Sequence, residues 1–190
     1  MKSQRLPFWK RQLPNFITGL RIAFIPPVVI ALLYDTPEAG FWAAVFFILA
    51  SVSDFFDGYF ARIYNVESLL GKFLDPVADK LLVTAALVML IPLGRVSAIL
   101  VLLILSRDLL INGLRAVAAS EKFVIGAGWT GKWKTGAQMC AIPCLMLKNP
   151  LLGVDLLLVG QILLWISLVL SLISGFQYLR DFFSRYSEMP

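Results

Sequence analysis

The chain has 190 residues, 59% of them hydrophobic and 15% charged, with a formal net charge of +5 and no histidine. With a mean hydropathy of +0.81, this composition excludes an ordinary water-soluble globule and a disordered charged chain, and it indicates a polytopic helical membrane protein. No repeat, low-complexity stretch or linker divides it, so residues 1–190 are expected to form a single transmembrane domain.

In chain order, residues 1–16 come first as a cytoplasmic N-terminal segment. Within it, residues 4–13 mix Phe8 and Trp9 with Arg5, Lys10 and Arg11, a composition suited to the headgroup layer of an anionic leaflet. The basic start followed by an apolar run mimics a signal peptide. That run is too long, carries Arg21 and lacks a small-residue cleavage site, so it is expected to remain as the first helix. Apolar runs at about 17–34, 40–60, 73–92, 96–119, 135–148 and 151–179 give six spans of roughly bilayer length, the fifth short. The fold expected is therefore all-α, with six transmembrane helices and an N-terminal interfacial segment.

Basic residues set the orientation. Lys2, Arg5, Lys10, Arg11, Arg62, Lys72, Lys122, Lys132, Lys134, Arg180 and Arg185 fall on one side; Arg95 and Lys148 fall on the other with Asp35 and Glu38. By the positive-inside rule both termini are cytoplasmic.

Four aspartates interrupt the apolar runs. Asp54, Asp57, Gly58, Ala61 and Arg62 stand at i, i+3, i+4, i+7 and i+8; after eight residues come Gly71, Asp75 and Asp79 at i, i+4 and i+8. Each set makes one helical stripe, and helices joined by a short loop can present such stripes to each other. A carboxylate at mid-membrane depth costs about 3 kcal/mol, so four need compensation. Simple ion pairing with Arg62, Lys72 and Lys80 leaves a poorly balanced network whose acids repel one another. One or two hard divalent cations, Mg²⁺ or Mn²⁺, satisfy an oxygen-only ligand set. Cys140 and Cys144 make no credible metal site. Gly126 to Gly131 spells G-x-G-x-x-G, but no strand precedes it; it is expected to form a turn over the mouth of the site.

These residues match D-x2-D-G-x2-A-R-x8-G-x3-D-x3-D without departure, and the chain thereby resembles the CDP-alcohol phosphatidyltransferases. About nine-tenths of it fits that family's six-helix plan. The resemblance implies an enzyme that replaces CMP on a CDP-linked lipid with an alcohol. It assigns Asp54, Asp57 and Asp75 to a two-metal site and Asp79 to that site and to the general base. It also assigns Asp54, Gly58, Ala61 and Arg62 to the CDP-lipid pocket, with Thr18 from the run Leu13 to Arg21. The chemistry agrees: a pyrophosphate needs cations against its charge, an alcohol needs a base, and Arg62 can offer phosphate a two-pronged donor. Without histidine, the covalent route of phospholipase-D-like transferases is closed, and direct attack on the β-phosphate is the simplest path.

The acceptor is read from a second set of charges. Arg107 and Arg115 share a stripe of the fourth span, and Lys132 and Lys134 enter the fifth. Four cations at a membrane-embedded cavity call for an anionic acceptor. The runs Leu74–Lys80, Arg107–Ile111 and Gly131–Thr135 resemble the branch of the family that uses glycerol 3-phosphate, except that Asp108 stands where that branch more usually has Glu. The role of Asp108 is left open, since Arg107 and Arg115 could instead pair with it or reach for headgroups. The expected reaction is phosphatidyl transfer from CDP-diacylglycerol to sn-glycerol 3-phosphate, giving phosphatidylglycerophosphate and CMP. Alternatives are the same chemistry on inositol phosphate or, in cardiolipin synthesis, on phosphatidylglycerol, and, from another class, a divalent-cation transporter. Membrane lipids and a second copy of the chain are the expected partners, nucleic acid is not, and the setting is the inner membrane of a cell of prokaryotic type.

Overall fold

A computed structural model describes residues 8–64, 69–121, 129–150 and 153–187, with side chains described for 19–53, 77–78, 80–121, 129–150 and 153–186. Six helices follow one another: α1 (Phe8–Leu33), α2 (Pro37–Tyr64), α3 (Leu69–Leu90), α4 (Ala98–Ser120), α5 (Trp129–Met146) and α6 (Leu156–Ser187). No β-strand occurs among the described residues. The all-helical expectation is met, and each apolar run lies largely within one helix.

Local chemistry sets several boundaries. Pro37 opens α2, where its missing N–H is no loss, and Thr36 Oγ1 accepts from Ala39 N at 3.2 Å as an N-cap. Asp155 caps α6, its Oδ1 accepting from the N–H groups of Leu157 and Leu158 at 3.0 and 3.3 Å. Gly94 and Gly153, at φ 66° and 80°, supply the left-handed turns before α4 and α6. Two boundaries differ from the expectation. The helix of α1 already runs from Phe8, so residues 8–16 of the N-terminal segment are continuous with the first span. Trp129–Gly131 belong to α5, so they are not part of a turn, and residues 122–128 lie outside the described residues.

The chain divides into two compact units, Met1–Leu90 with Met146–Asn149, and Ile91–Leu145 with Pro150–Pro190. In the first, α1 packs along both α2 and α3. The packed stripe of α2 is Ala43, Ala44, Phe47 and Ala50, while Phe41, Trp42, Ile48, Leu49 and Val52 face outward. Small residues on the packed side let helices approach closely. Lys148 Nζ donates to the Asp35 carboxylate at 3.0 Å and to its carbonyl oxygen at 2.9 Å, tying the start of one connection to the other.

In the second unit, α4 packs on α6. Ile111 and Ala118 meet Tyr178 and Phe182, with Leu114 and Leu179 alongside. The inner stripe of α6 includes Ser167, Ser171 and Ser174, all buried, while Leu158, Ile162, Ile166, Val169, Leu172, Ile173 and Phe176 are exposed. This reverses the pattern of a helix on a water-soluble protein. Leu156–Tyr186 is long and apolar enough to cross a membrane; among the described residues the apolar segments Gly19–Leu33, Pro37–Ser53 and Lys80–Leu90 are shorter.

Candidate functional site

The carboxylate motif is wholly helical. Asp54, Asp57, Gly58, Ala61 and Arg62 occupy the last turns of α2, and Gly71, Asp75 and Asp79 the first turns of α3. Of the eight residues expected as loop between Arg62 and Gly71, Ile63, Tyr64, Leu69 and Leu70 are in helix. The helical spacing that makes each set a stripe therefore holds along the backbone. The side chains of these residues, like that of Thr18 on α1, lie outside the described residues. Among the described residues no group of three metal-ligating side chains occurs elsewhere. Helix α1 also carries Arg21, which is 1% exposed.

The second set of predicted residues forms a described cluster in the second unit. Arg107 Nη1 donates to Asp108 Oδ1 at 3.0 Å, and Arg107 Nη2 to Ser174 Oγ at 2.7 Å. Lys134 Nζ donates to the same Asp108 oxygen. Ser174 Oγ donates in turn to Ser171 O at 3.1 Å, and Ser167 Oγ to Lys134 O at 3.1 Å. Helices α4, α5 and α6 thus meet at one buried polar knot of two cations and one anion. Asp108 is 7% exposed and Lys134 4%. Burial of such a trio is tolerable only because every charge has a partner; removing one partner of a buried pair costs about 3–5 kcal/mol.

Three polar atoms in this region are buried without a hydrogen-bond partner among the described residues: Arg107 Nε, Gln138 Nε2 and Ser171 Oγ. Gln138 is one turn beyond Lys134 on α5, and Ser171 one turn beyond Ser167 on α6. Unspent donors in a buried cluster are uncommon and suit a ligand rather than a finished core.

Arg107 and Lys134 are brought together; Arg115 and Lys132 are not part of the knot. Arg115 lies on the same α4 stripe as Arg107, about 12 Å further along the axis at the helical rise, with its guanidinium 5.5 Å from the Tyr178 ring centre. Lys132 is exposed at the start of α5, beside the Trp129–Trp133 pair. Lys132 and Lys134 are two apart on a helix and point to different sides. Ser174 and its neighbour Gly175 were missed, because small residues in an apolar run carry no chemical signal of their own.

The family model for CDP-alcohol phosphatidyltransferase matches residues 11–173. The chain belongs to the CDP-alcohol phosphatidyltransferase family. Among similar proteins is the CDP-diacylglycerol–glycerol-3-phosphate 3-phosphatidyltransferase of Rickettsia bellii (strain RML369-C), 43% identical over 169 residues, 88% of this chain and 93% of the relative. Its namesake in Rickettsia felis is 40% identical over 171 residues, covering 90% and 94% of the two chains. That of Bacillus subtilis (strain 168) is 39% identical over 178 residues, covering 87% and 92%. The CDP-alcohol phosphatidyltransferase assignment takes in most of α1, all of α2 to α5 and more than half of α6, so the carboxylate motif and the charged trio Arg107, Asp108 and Lys134 fall inside it, with Ser174 one residue beyond.

Proposed function

We infer that this phosphatidyltransferase moves the phosphatidyl group of CDP-diacylglycerol onto sn-glycerol 3-phosphate, yielding phosphatidylglycerophosphate and CMP. The observation that carries the reading is the complete carboxylate motif at the adjoining ends of α2 and α3, inside a family match that spans most of the chain. Relatives that carry this acceptor in their names, similar over nearly their whole length, support the choice of acceptor.

Asp54, Asp57, Asp75 and Asp79 are the residues that would hold one or two divalent cations. Four carboxylates without imidazole or thiolate suit Mg²⁺ or Mn²⁺. When bound, such cations offset pyrophosphate charge and polarise phosphorus. Asp79 takes the proton of the acceptor hydroxyl while that oxygen bonds to the β-phosphorus; the bond from this phosphorus to the bridging oxygen breaks, and CMP departs with it. Arg62 offers paired N–H donors to phosphate oxygens, Gly58 and Ala61 leave room for the nucleotide, and Thr18 borders it from α1. Arg107 and Lys134 take the phosphate of the acceptor, with Arg115 and Lys132 drawing it toward them.

All six helices serve as membrane spans in this reading, with both termini and the catalytic site on the cytoplasmic side of the inner membrane. Support comes from the outward apolar faces of α2, α4 and α6. Residues 1–190 act as one catalytic domain, with the N-terminal segment at the interface, and two copies associate as a homodimer.

The test is CMP release by purified protein in detergent with CDP-diacylglycerol and Mg²⁺, offering glycerol 3-phosphate, inositol phosphate, serine and phosphatidylglycerol separately. Turnover with glycerol 3-phosphate alone is expected, and none in Asp79→Asn. Turnover with another acceptor would overturn the assignment of the cations. No turnover, with metal uptake into proteoliposomes, would replace the enzyme by a transporter.

A further inference from the structure

Arg107 and Lys134 come from different helices, yet they donate to one atom, Asp108 Oδ1. Neighbouring residues on a helix do not face each other, so the contact from Arg107 to Asp108 requires the arginine to fold back beside α6. Space for it exists at Gly175, where a Cβ would lie 3.0 Å from Arg107 Nε. Ser174 holds the other terminal nitrogen. The guanidinium is thus fixed on two sides, with its Nε–H buried and unspent among the described residues. Two cations drawn to one oxygen would otherwise repel each other in a medium of low dielectric.

We propose that Asp108 is the positioning residue of the acceptor pocket, holding Arg107 and Lys134 as a preassembled pair of donors for a phosphate monoester dianion. The proposal rests on the reading in which these two cations receive the acceptor's phosphate. Asp108 does not touch that phosphate, which its own charge would repel; it acts by keeping both donors in place. The trio carries a net charge of one positive unit, enough to attract a dianion and less than the bare pair would present.

The test is the KM for glycerol 3-phosphate and, separately, for CDP-diacylglycerol in Arg107→Gln, Lys134→Gln, Asp108→Asn and Asp108→Glu, each checked for thermal unfolding in detergent. Asp108→Asn is expected to raise the glycerol 3-phosphate KM about tenfold with the CDP-diacylglycerol KM unchanged, and Asp108→Glu to stay within about threefold of the parent. Arg107→Gln and Lys134→Gln raising that KM while Asp108→Asn leaves it alone overturns the positioning role and spares the acceptor reading. No change in any of the variants removes both. An equal rise in both KM values marks general damage and also overturns the proposal. Should Asp108→Asn not fold, the Asp108→Asn/Lys134→Gln double variant decides, since it carries less unbalanced buried charge. With Lys134→Gln itself expected to raise that KM about tenfold, the double variant is expected to stay within about 30-fold of the parent; any larger rise, toward the roughly 100-fold product of independent effects, overturns the proposal.

Discussion

Gly175 on α6 leaves the space that the Arg107 side chain of α4 occupies: a Cβ built on Gly175 would stand 3.0 Å from Nε and 3.6 Å from Cγ of Arg107. The absence of a side chain at one position thereby fixes the path of a long one at another. Gly175→Ala is expected to raise the KM for glycerol 3-phosphate about threefold, the arginine having to yield by a few tenths of an ångström. Gly175→Val, which cannot be accommodated by so small a shift, is expected to raise it at least about tenfold. Steady-state kinetics with the two substrates varied in turn checks this, and an unchanged KM in Gly175→Val would refute it.

Gly160 has a different role. A Cβ there would meet Leu145 Cγ at 2.8 Å and the Ala141 carbonyl oxygen at 3.0 Å, so α5 and α6 touch backbone to backbone. A carbonyl in a helix cannot swing aside as a side chain can. Gly160→Ala is expected to cost about 1–3 kcal/mol of stability, with the KM values of the folded protein unchanged. Thermal inactivation rates in detergent, set beside KM, measure both; a fully stable variant would show that the helices separate more easily than this contact implies.

The Lys148–Asp35 pair is roughly half exposed on both sides. Lys148→Ala is therefore expected to cost less than about 1 kcal/mol, and the difference from the parent to shrink as salt rises. Unfolding midpoints at low and high ionic strength test it. A salt-independent loss of several kcal/mol would contradict the exposed character of the pair.

Divalent metal is expected to be indispensable. Prolonged treatment with a chelator should abolish CMP release, and Mg²⁺ or Mn²⁺ should restore it. Each of Asp54→Asn, Asp57→Asn and Asp75→Asn is expected to lower kcat by at least about a hundredfold, and to raise the metal concentration that gives half-maximal rate. A variant that loses neither would remove that carboxylate from the metal set.

Much of the fold is legible in the sequence because each helix is an apolar run ended by a charge, a proline or a glycine. The carboxylate motif is equally legible, since Asp54 to Arg62 and Gly71 to Asp79 are each placed on a stripe by local helical spacing. The length of the connection is misread because Ile63, Tyr64, Leu69 and Leu70 continue the helices rather than the loop. Partners far apart in the chain are harder to see. Lys134 reaches an aspartate 26 residues away and Arg107 a serine 67 residues away, and no periodicity encodes such pairs. Ser174 and Gly175 look like inert packing in an apolar helix until α4 is laid beside them. Arg115 and Lys132 show the converse: charge in the sequence announces a cation, while the helix face decides its company.

The polar knot also bears on how the chain enters the bilayer. Helix α4 is made first and carries Arg107 already matched by Asp108, whereas α5 follows with Lys134, whose insertion alone would cost about 3 kcal/mol. The carboxylate that receives it is waiting on the helix already made. In the proposed six-span arrangement, the fourth helix is expected to serve as a berth for the fifth during biogenesis. In a glycosylation-reporter assay of co-translational insertion, Asp108→Asn should impair entry of α5 while leaving α1 to α3 unaffected. Normal entry of α5 in that variant would mean the berth is assembled only after the chain is complete.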